Sequence, residues 1–179
     1  MIPRLETERL ILRGWRDDDF DAFAAIHGDA EVMAYLGGVL EGVDAWRSMS
    51  QLAGHWALRG YGKWAVERKS DGAMIGRVGL INPEGWPGLE VGWTLGKPYW
   101  GQGYATEAAA AAMRYGFRTQ PVDRLISCIH PDNTASQAVA RRLGETKGAR
   151  GNLRIGGGDN PVDLWFITRA DWQKRQAPA

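Results

Sequence analysis

Apolar residues alternate as in strands in some stretches of the chain and recur with helical spacing in others. Leu10 and Leu12 share one face of a strand predicted over Glu6 to Arg13, because side chains two positions apart lie on the same side of a strand. A helix is predicted after the acidic run Asp17-Asp18-Asp19, since carboxylates suit the positive end of a helix. Helical spacing returns from Val43 to about Arg59.

The middle of the chain predicts a hairpin and a further strand. Lys63 to Arg68 and Met74 to Ile81 are strand-like runs, and Ser70-Asp71-Gly72 between them is a turn sequence. After a loop rich in proline and glycine, Leu89 to Leu95 predicts the next strand.

The second half predicts a strand–helix–strand unit and a last strand. A stripe of small residues indicates a helix over about Gly103 to Arg118 that packs closely on a sheet. The strand Arg124 to Ile129 follows, and a crossover of this kind predicts a parallel strand pair. The later elements are a helix at Thr134 to Leu143 ended by Gly144, a glycine-rich segment from Gly148 to Gly158 with no predicted element, a strand at Asp163 to Thr168, and a short helix around Asp171-Trp172. We interpret residues 1–179 as a single domain of the α/β (α+β) class.

Composition narrows the possible functions. The net charge of +1 gives no field that favours nucleic acid. Cys128 is the sole cysteine, so no internal disulfide forms, and at mid-strand it is interpreted as a buried small group rather than a nucleophile. The N-terminus carries charges where a signal peptide needs an apolar stretch, and no apolar run approaches the length of a membrane span. We therefore expect a cytoplasmic protein without membrane or nucleic-acid partners.

The most informative stretch runs from Lys97 to Ala108. A strand ends at Leu95, a turn containing Gly101 and Gly103 follows, and a small-residue helix begins directly after it. This order directs unpaired backbone N–H groups and the positive end of a helix dipole at one spot, which is a phosphate-binding arrangement. The alternative interpretation is a simple tight turn. The third glycine of a dinucleotide fold and the lysine of a P-loop are absent, which disfavours nucleotide chemistry.

A second motif begins at His130 and reads His-Pro-Asp-Asn-Thr-Ala-Ser before a helix. By itself it is interpreted as a strand end, a turn, and a helix capped by Asn133 or Thr134. Together, the Tyr-Trp-Gly-Gln-Gly-Tyr-Ala-Thr-Glu-Ala stretch and this second motif resemble the RimJ/RimL branch of the GNAT acetyltransferases. The stretches Leu5 to Arg13, Ile75 to Leu80 and Leu89 to Leu95 are similar to the same branch, so the resemblance covers about residues 5–144.

This resemblance implies a mixed, mostly antiparallel sheet that splays at a parallel strand pair, between the strands ending at Leu95 and Ile129, with helices on both faces. It implies acetyl-CoA as co-substrate and no metal. The pyrophosphate of the coenzyme would rest on backbone N–H groups of Gln102, Gly103, Tyr104, Ala105 and Thr106. The pantetheine arm would run along Trp93, Thr94 and Leu95, with Asn133 holding it from the other side.

The sequence departs from the wider family at two positions. Trp100 stands where the phosphate cradle usually begins with Gln or Arg, so one side-chain contribution is missing. Ala140 stands where many members carry a tyrosine that protonates the leaving thiolate, which closes that route.

Acetyl transfer to an amine needs a base, a polarised carbonyl and a proton donor for the thiolate. Glu90 is the candidate base, directly or through water, and its alternative interpretation is a solvated strand-end carboxylate. Ser136 is the candidate proton donor, and the alternative is that it helps to cap its helix. His130 is a weaker candidate for either role. A backbone N–H near Thr94 or Leu95 is the candidate that polarises the carbonyl.

The acceptor amine belongs either to a protein N-terminus or to a small molecule. Substrate contacts are expected among segment Met33 to Glu41, Trp64, Trp86 and Trp165. Two rival functions stay open at this point: a non-catalytic protein of the same fold that senses acyl-CoA, and an unrelated α/β nucleotide-binding module. A homodimer is compatible with each function.

Overall fold

The structure is a computed structural model that describes residues 1–155 and 158–176. The strands are β1 Leu5–Glu6, β2 Leu10–Arg13, β3 Lys63–Arg68, β4 Met74–Ile81, β5 Glu90–Leu95, β6 Arg124–Ile129, β7 Thr146–Ile155 and β8 Gly158–Thr168. The helices are α1 Phe20–His27, α2 Ala30–Met33, α3 Gly42–Arg59, α4 Tyr104–Thr119, α5 Thr134–Leu143 and α6 Arg169–Gln176, with single 3₁₀ turns at Asp17–Asp19 and Lys97–Tyr99.

All eight strands form one sheet in the order β1-β2-β3-β4-β5-β6-β8-β7. Neighbouring strands are antiparallel except β5 and β6, which are parallel because the crossover helix α4 connects them. This pair is bridged at one position alone, Glu90 opposite Ile126. The predicted mixed, mostly antiparallel sheet that splays at its parallel pair is therefore confirmed.

Helices cover both faces of the sheet, and strand alternation divides the core between them. Trp64 and Val66 of β3 pack in the cluster that contains the buried stripe of α4, whereas Ala65 between them packs with Phe23 of α1 and Leu52 of α3. Side chains at successive strand positions point to opposite faces, so each strand contributes to both clusters. We call the face covered by α4 the α4 face and the opposite one the α1 face.

Most predicted elements have the expected bounds. The hairpin strands β3 and β4, strand β6 and helix α5 begin and end where the pattern indicates, and Gly144 ends α5 in a left-handed conformation with φ of 88°. The first strand is instead divided into β1 and β2, which pair with each other. The break is made at Thr7, whose backbone N–H donates to the carbonyl of Leu10 at 3.0 Å.

The glycine-rich segment from Gly148 to Gly158, for which no element is predicted, is the main difference between prediction and structure. Its described residues belong to β7 and the start of β8, which form a long antiparallel hairpin, while residues 156 and 157 lie outside the described residues. β7 is an edge strand with an exposed surface, so no apolar alternation marks it. Lys147 and Arg150 hold it to Asp163 of β8 by ion pairs of 2.7 Å each.

None of the described helices combines the length and apolar content needed to cross a bilayer.

A pair of glycine substitutions tests the packing of the sheet. A methyl group on Gly76 of β4 would lie 2.2 Å from the backbone oxygen of Thr94, so Gly76→Ala is expected to lower the free energy of unfolding by about 2 kcal/mol or more. Gly54 lies within α3 with no atom near its added methyl, so Gly54→Ala is the control and is expected to stabilise by about 0.5–1 kcal/mol. Urea unfolding of both variants measures the difference. Equal effects would contradict the close approach of β4 and β5.

Candidate active site

Beyond the single bridge between β5 and β6, two side chains donate to carbonyl groups of β5 that face the gap. After the bridge at Glu90, the hydroxyl of Ser127 donates to the carbonyl of Val91 at 2.8 Å. Further along β5, the indole N–H of Trp100 donates to the carbonyl of Leu95 at 2.8 Å. Trp100, the residue that replaces Gln or Arg in the predicted cradle, therefore satisfies a strand end instead of a phosphate.

Alternation along β5 decides which peptide groups face the gap. The N–H of Gly96 donates to the carbonyl of Ile75 in β4. Every second residue of a strand directs its peptide groups to the same neighbouring strand, so those of Thr94 also point to β4. Trp93 and Leu95 consequently point theirs toward β6, where the ladder has ended. Of the three predicted pantetheine contacts, Trp93 and Leu95 offer backbone groups to the gap, and Thr94 does not.

The predicted phosphate cradle lies at the open end of this gap. Gly101 and Gly103 adopt left-handed backbone with φ of 72° and 82°, and α4 starts at Tyr104. The first intrahelical bond is donated by the N–H of Glu107 to the carbonyl of Gly103. The six backbone N–H groups of residues 101–106 donate to no acceptor among the described residues. These orphan donors and the helix dipole suit a polyanion.

Two side chains add to the predicted cradle: Arg9 was not predicted, and Thr106 was predicted for its backbone N–H group alone. Arg9 donates to the carbonyl of Gln102 at 2.9 Å and pairs with Glu107 at 2.7 Å, which places a guanidinium beside Gly103. The hydroxyl of Thr106 is buried without a hydrogen-bond partner in the described part of the chain. An orphan hydroxyl in the first turn of α4 is an additional donor for a phosphate.

Glu90, the candidate base, is a buried side chain rather than a solvated one. Its Oε2 atom accepts a hydrogen bond of 2.6 Å from the indole of Trp86, and it lines the same pocket as Cys128 and Ser136. Burial raises the pKa of Glu90, while the nearby Lys63 ammonium opposes that change. Burial also raises the pKa of the Cys128 thiol, so this group stays protonated. A carboxyl with a raised pKa suits proton transfer near neutral pH.

Two roles were considered for Ser136, helix capping and proton donation, and Asn133 takes the first of them. The side-chain oxygen of Asn133 accepts from the N–H of Ser136 at 3.0 Å, so Asn133 caps α5. The hydroxyl of Ser136 accepts from the indole N–H of Trp93 at 3.3 Å, which leaves its own proton available to donate. His130 stacks on Tyr35 with ring centroids 4.7 Å apart, and its Nδ1 atom lies 3.2 Å from the N–H of Asp132. This histidine therefore supports the rim of the pocket.

Some residues predicted near the acceptor are located elsewhere. Trp64 is fully buried in the core, and its indole N–H donates to the carbonyl of Pro3. Trp165 is buried with Ile129 and Ala140, so it does not line the pocket. Within the predicted segment from Met33 to Glu41, Tyr35 and Leu36 line it. These two tryptophans were placed wrongly because the sequence alone does not show which face of a strand borders the pocket and which face packs into the core.

A buried acid lies behind the gap on the α4 face. Glu145 shares a hydrogen bond of 2.8 Å with the hydroxyl of Ser127, whose one proton is already directed to Val91. The acid must therefore donate, which requires its protonated form. Burial raises the pKa of Glu145 to about 8, in agreement with that geometry. Among the described residues, no group of three or more His, Cys, Asp or Glu side chains forms a metal site.

A family model of the acetyltransferase (GNAT) domain matches residues 9–146. The chain belongs to the GNAT acetyltransferase family. It is 31% identical over 151 residues to the uncharacterized N-acetyltransferase YoaA of Bacillus subtilis, covering 82% of this chain and 85% of that protein. A crystal structure of an acetyltransferase from Agrobacterium tumefaciens superposes with a TM-score of 0.83 at 28% identity, covering 94% of this chain and 96% of the other.

The similarity to a ribosomal-protein acetyltransferase is partial. The [ribosomal protein uS5]-alanine N-acetyltransferase of Escherichia coli is 36% identical over 84 residues, which are 46% of this GNAT chain and 43% of that enzyme. This match supports the predicted family. GNAT acetyltransferases use acetyl-CoA and an amine acceptor. The residues present fit the coenzyme, because the orphan N–H groups, the unpartnered Thr106 hydroxyl and the free edge at Trp93 are the groups that its pyrophosphate and pantetheine amides need.

Replacing Glu145 by Gln tests the buried acid. A folded pKa of about 8, above the ordinary 4.5, means that the stability from protonated Glu145 is complete below pH 4.5 and is lost as pH rises through 8. Gln is neutral at every pH and still donates to Ser127. The free energy of unfolding of wild type, relative to Glu145→Gln, is therefore expected to fall from pH 5 to pH 8 in urea titrations. The exposed Glu8→Gln serves as control, and parallel curves for all three proteins would contradict the assignment.

Proposed function

We propose that this GNAT acetyltransferase transfers the acetyl group of acetyl-CoA to a primary amine, by direct attack of the amine within a ternary complex. The observation that carries the proposal is the run of six orphan N–H groups at residues 101–106 beside the free edge of β5. The cradle supplies the pyrophosphate contacts through Gln102, Gly103, Tyr104, Ala105 and Thr106. The edge at Trp93 and Leu95 pairs with the amides of the pantetheine arm.

Asn133 holds the pantetheine arm from the α5 side. Its side-chain oxygen is engaged in the helix cap, and its amide N–H groups have no partner among the described residues. They are therefore available to a carbonyl of the arm. A backbone N–H of Trp93 or Leu95 polarises the acetyl carbonyl, because these two residues direct their N–H groups into the gap.

Glu90 accepts the proton that the acceptor ammonium must lose before it attacks. The nitrogen lone pair then forms a bond with the acetyl carbon, and the carbon–sulfur bond breaks as the tetrahedral arrangement collapses. Ser136 gives its proton to the departing sulfur, with its hydroxyl oriented by the indole of Trp93, and regains a proton from the nitrogen, which loses its second proton, directly or through water, as it becomes the neutral amide. Cys128 takes no part, since its thiol stays protonated beside Glu90.

The binding of acetyl-CoA is tested by placing a carboxylate in the cradle. Gly103→Glu is expected to weaken binding of acetyl-CoA at least a hundredfold by calorimetry, because the new anion competes for the orphan N–H groups. Gly85→Glu is the matched control, since Gly85 has a similar φ of 80° and lies in the loop before β5. Both variants carry the same backbone strain. Equal loss of binding in the two variants, or no binding by wild type, would reject the cradle.

The role of Glu90 is tested with Glu90→Gln, which keeps the acceptor atom for Trp86 and removes the base. The expected result is a loss of about a hundredfold or more in kcat with unchanged affinity for acetyl-CoA, measured by thiol release. The rate of wild type is expected to fall as pH drops through the raised pKa of Glu90, and the variant is expected to lack that dependence. Glu84→Gln removes an exposed carboxylate in the loop before β5 as a control. A variant as active as wild type would assign the proton to water or another group.

Thiol release also separates an enzyme from a sensor of the same fold. An enzyme consumes acetyl-CoA when an amine is supplied, whereas a sensor binds it without turnover. Tight binding with no thiol release for any amine in a broad panel would therefore overturn the proposal.

A further inference from the structure

Three charged side chains, one of them the candidate base Glu90, gather on the α1 face of the sheet. Lys63 of β3, Arg77 of β4 and Glu90 of β5 line one pocket, and Gly92 forms its floor. A methyl group on Gly92 would lie 2.8 Å from the Nζ atom of Lys63 and 2.8 Å from Oε1 of Glu90. Glu90 acts on Lys63 through its charge, and the two atoms converge on the same small space above Gly92.

The cations in this pocket outnumber the anions. Lys63 is buried, and its Nζ atom has no hydrogen-bond or ion-pair partner among the described residues. Arg77 uses only its Nε–H, which donates to Nε2 of His27 at 2.9 Å. Its two terminal nitrogens also have no hydrogen-bond or ion-pair partner among the described residues. Glu90 is the one carboxylate that acts on both cations. Glu145 lies behind the gap in its protonated form, and Cys128 is a neutral thiol.

His27 fixes the direction of the Arg77 side chain. Its Nδ1 atom is bonded to the carbonyl of Phe23 at 2.9 Å, which requires a proton on Nδ1 and leaves Nε2 as an acceptor for Arg77. Burial, and then the charge of Arg77, lower the pKa of His27 to about 3, so the ring stays neutral. Since α1 holds the ring in place, the free end of the guanidinium has a fixed position in the pocket.

A buried ammonium without a hydrogen-bond partner, as at Lys63, is costly unless a ligand brings the missing negative charge, and the half-buried Arg77 adds a second positive charge beside it. The flat guanidinium of Arg77 presents two parallel donors, which is the geometry that a carboxylate matches. Tyr35 covers part of the rim, since it stacks on His130 and its hydroxyl donates to the carbonyl of Asp132 at 3.4 Å. The charges of the pocket therefore match a small amine with an acid group better than a polypeptide end that has no acid group.

We propose that the acceptor is a small amine that carries a carboxylate, with Lys63 and Arg77 binding the carboxylate and Glu90 facing the amine. This inference rests on the proposed function and specifies its acceptor. Lys63 and Arg77 act as specificity residues: they place the amine near Gly92 and take no part in the bond changes. An acceptor of this kind is an amino acid or a related amino-carboxylate.

The first experiment compares acceptors that differ only in the acid group. Thiol release from acetyl-CoA is measured with free amino acids, with their carboxamides, and with short peptides that begin with Asp, Glu or Ala. The expected result is a kcat/KM at least thirtyfold higher for the best amino acid than for its carboxamide. Faster reaction of the carboxamides, or of the peptides that begin with Ala, would overturn the inference while leaving acetyl transfer intact. No thiol release with any amine would instead reject the proposed function, and the inference with it.

The second experiment tests whether Lys63 and Arg77 cause the preference for an amino acid over its carboxamide. Lys63→Met and Arg77→Met are expected to raise KM for the best amino acid at least tenfold and to reduce its advantage over the carboxamide, with unchanged affinity for acetyl-CoA. Arg77→Lys, which keeps the charge, is expected to recover part of that advantage. A purely structural role for these residues would lower the rates of acid and carboxamide equally, and that result would contradict the inference.

The third experiment fills the space where Lys63 and Glu90 converge. Gly92→Ala places a methyl group at that point and is expected to lower kcat/KM for the acceptor at least tenfold without changing acetyl-CoA affinity. Gly88→Ala is the matched control, because its methyl would make an ordinary contact of 3.4 Å with Ile126. Full activity of Gly92→Ala would show that the acceptor does not occupy this space and would overturn the placement.

Discussion

The separation of β5 from β6 after a single bridge is the constraint on which the rest of the molecule depends. Beyond that bridge the Ser127 hydroxyl donates to the carbonyl of Val91. The indole of Trp100 donates to the carbonyl of Leu95 at the far end of β5. The start of α4 lies at the open end of the gap. A polar strand edge and a helix N-terminus therefore face the same space, which is why one extended ligand with amides and phosphates suits both.

The architecture could be predicted wherever packing imposes a period on the sequence. β3, β4 and β6 are mostly buried, so strand-like runs of residues separated by turn or helix sequences gave correct bounds, and the small-residue stripe of α4 reflects its close contact with the sheet. β7 has, among its described side chains, no buried apolar residues that would mark it in the sequence. It is held by backbone pairing with β8 and by the ion pairs of Asp163, and neither interaction requires apolar residues at alternate positions.

The candidate site was predictable in part for a similar reason. The cradle and the segment from Asn133 to Ser136 are local motifs, so neighbouring residues in sequence remain neighbours in space. Arg9, Lys63 and Arg77 come together with the site through strand register and strand order, which a single sequence does not express. A charge in a strand is ordinarily assigned to the solvent side, whereas Lys63 and Arg77 point to a covered face. Alternation also explains why Thr94, unlike its two neighbours, directs its peptide groups away from the gap.

The two faces of the sheet divide the chemistry between them. Helix α4 and the cradle belong to one face, while Lys63, Arg77 and Gly92 belong to the other, and β5 is the element that both share. Side chains at odd and even positions of β5 can therefore change independently. If Lys63 and Arg77 bind the acceptor as proposed, a descendant of this chain could exchange them for other residues and acquire a new acceptor without altering the cradle. One strand of six residues thus separates an inherited half of the catalyst from a half that is free to diverge.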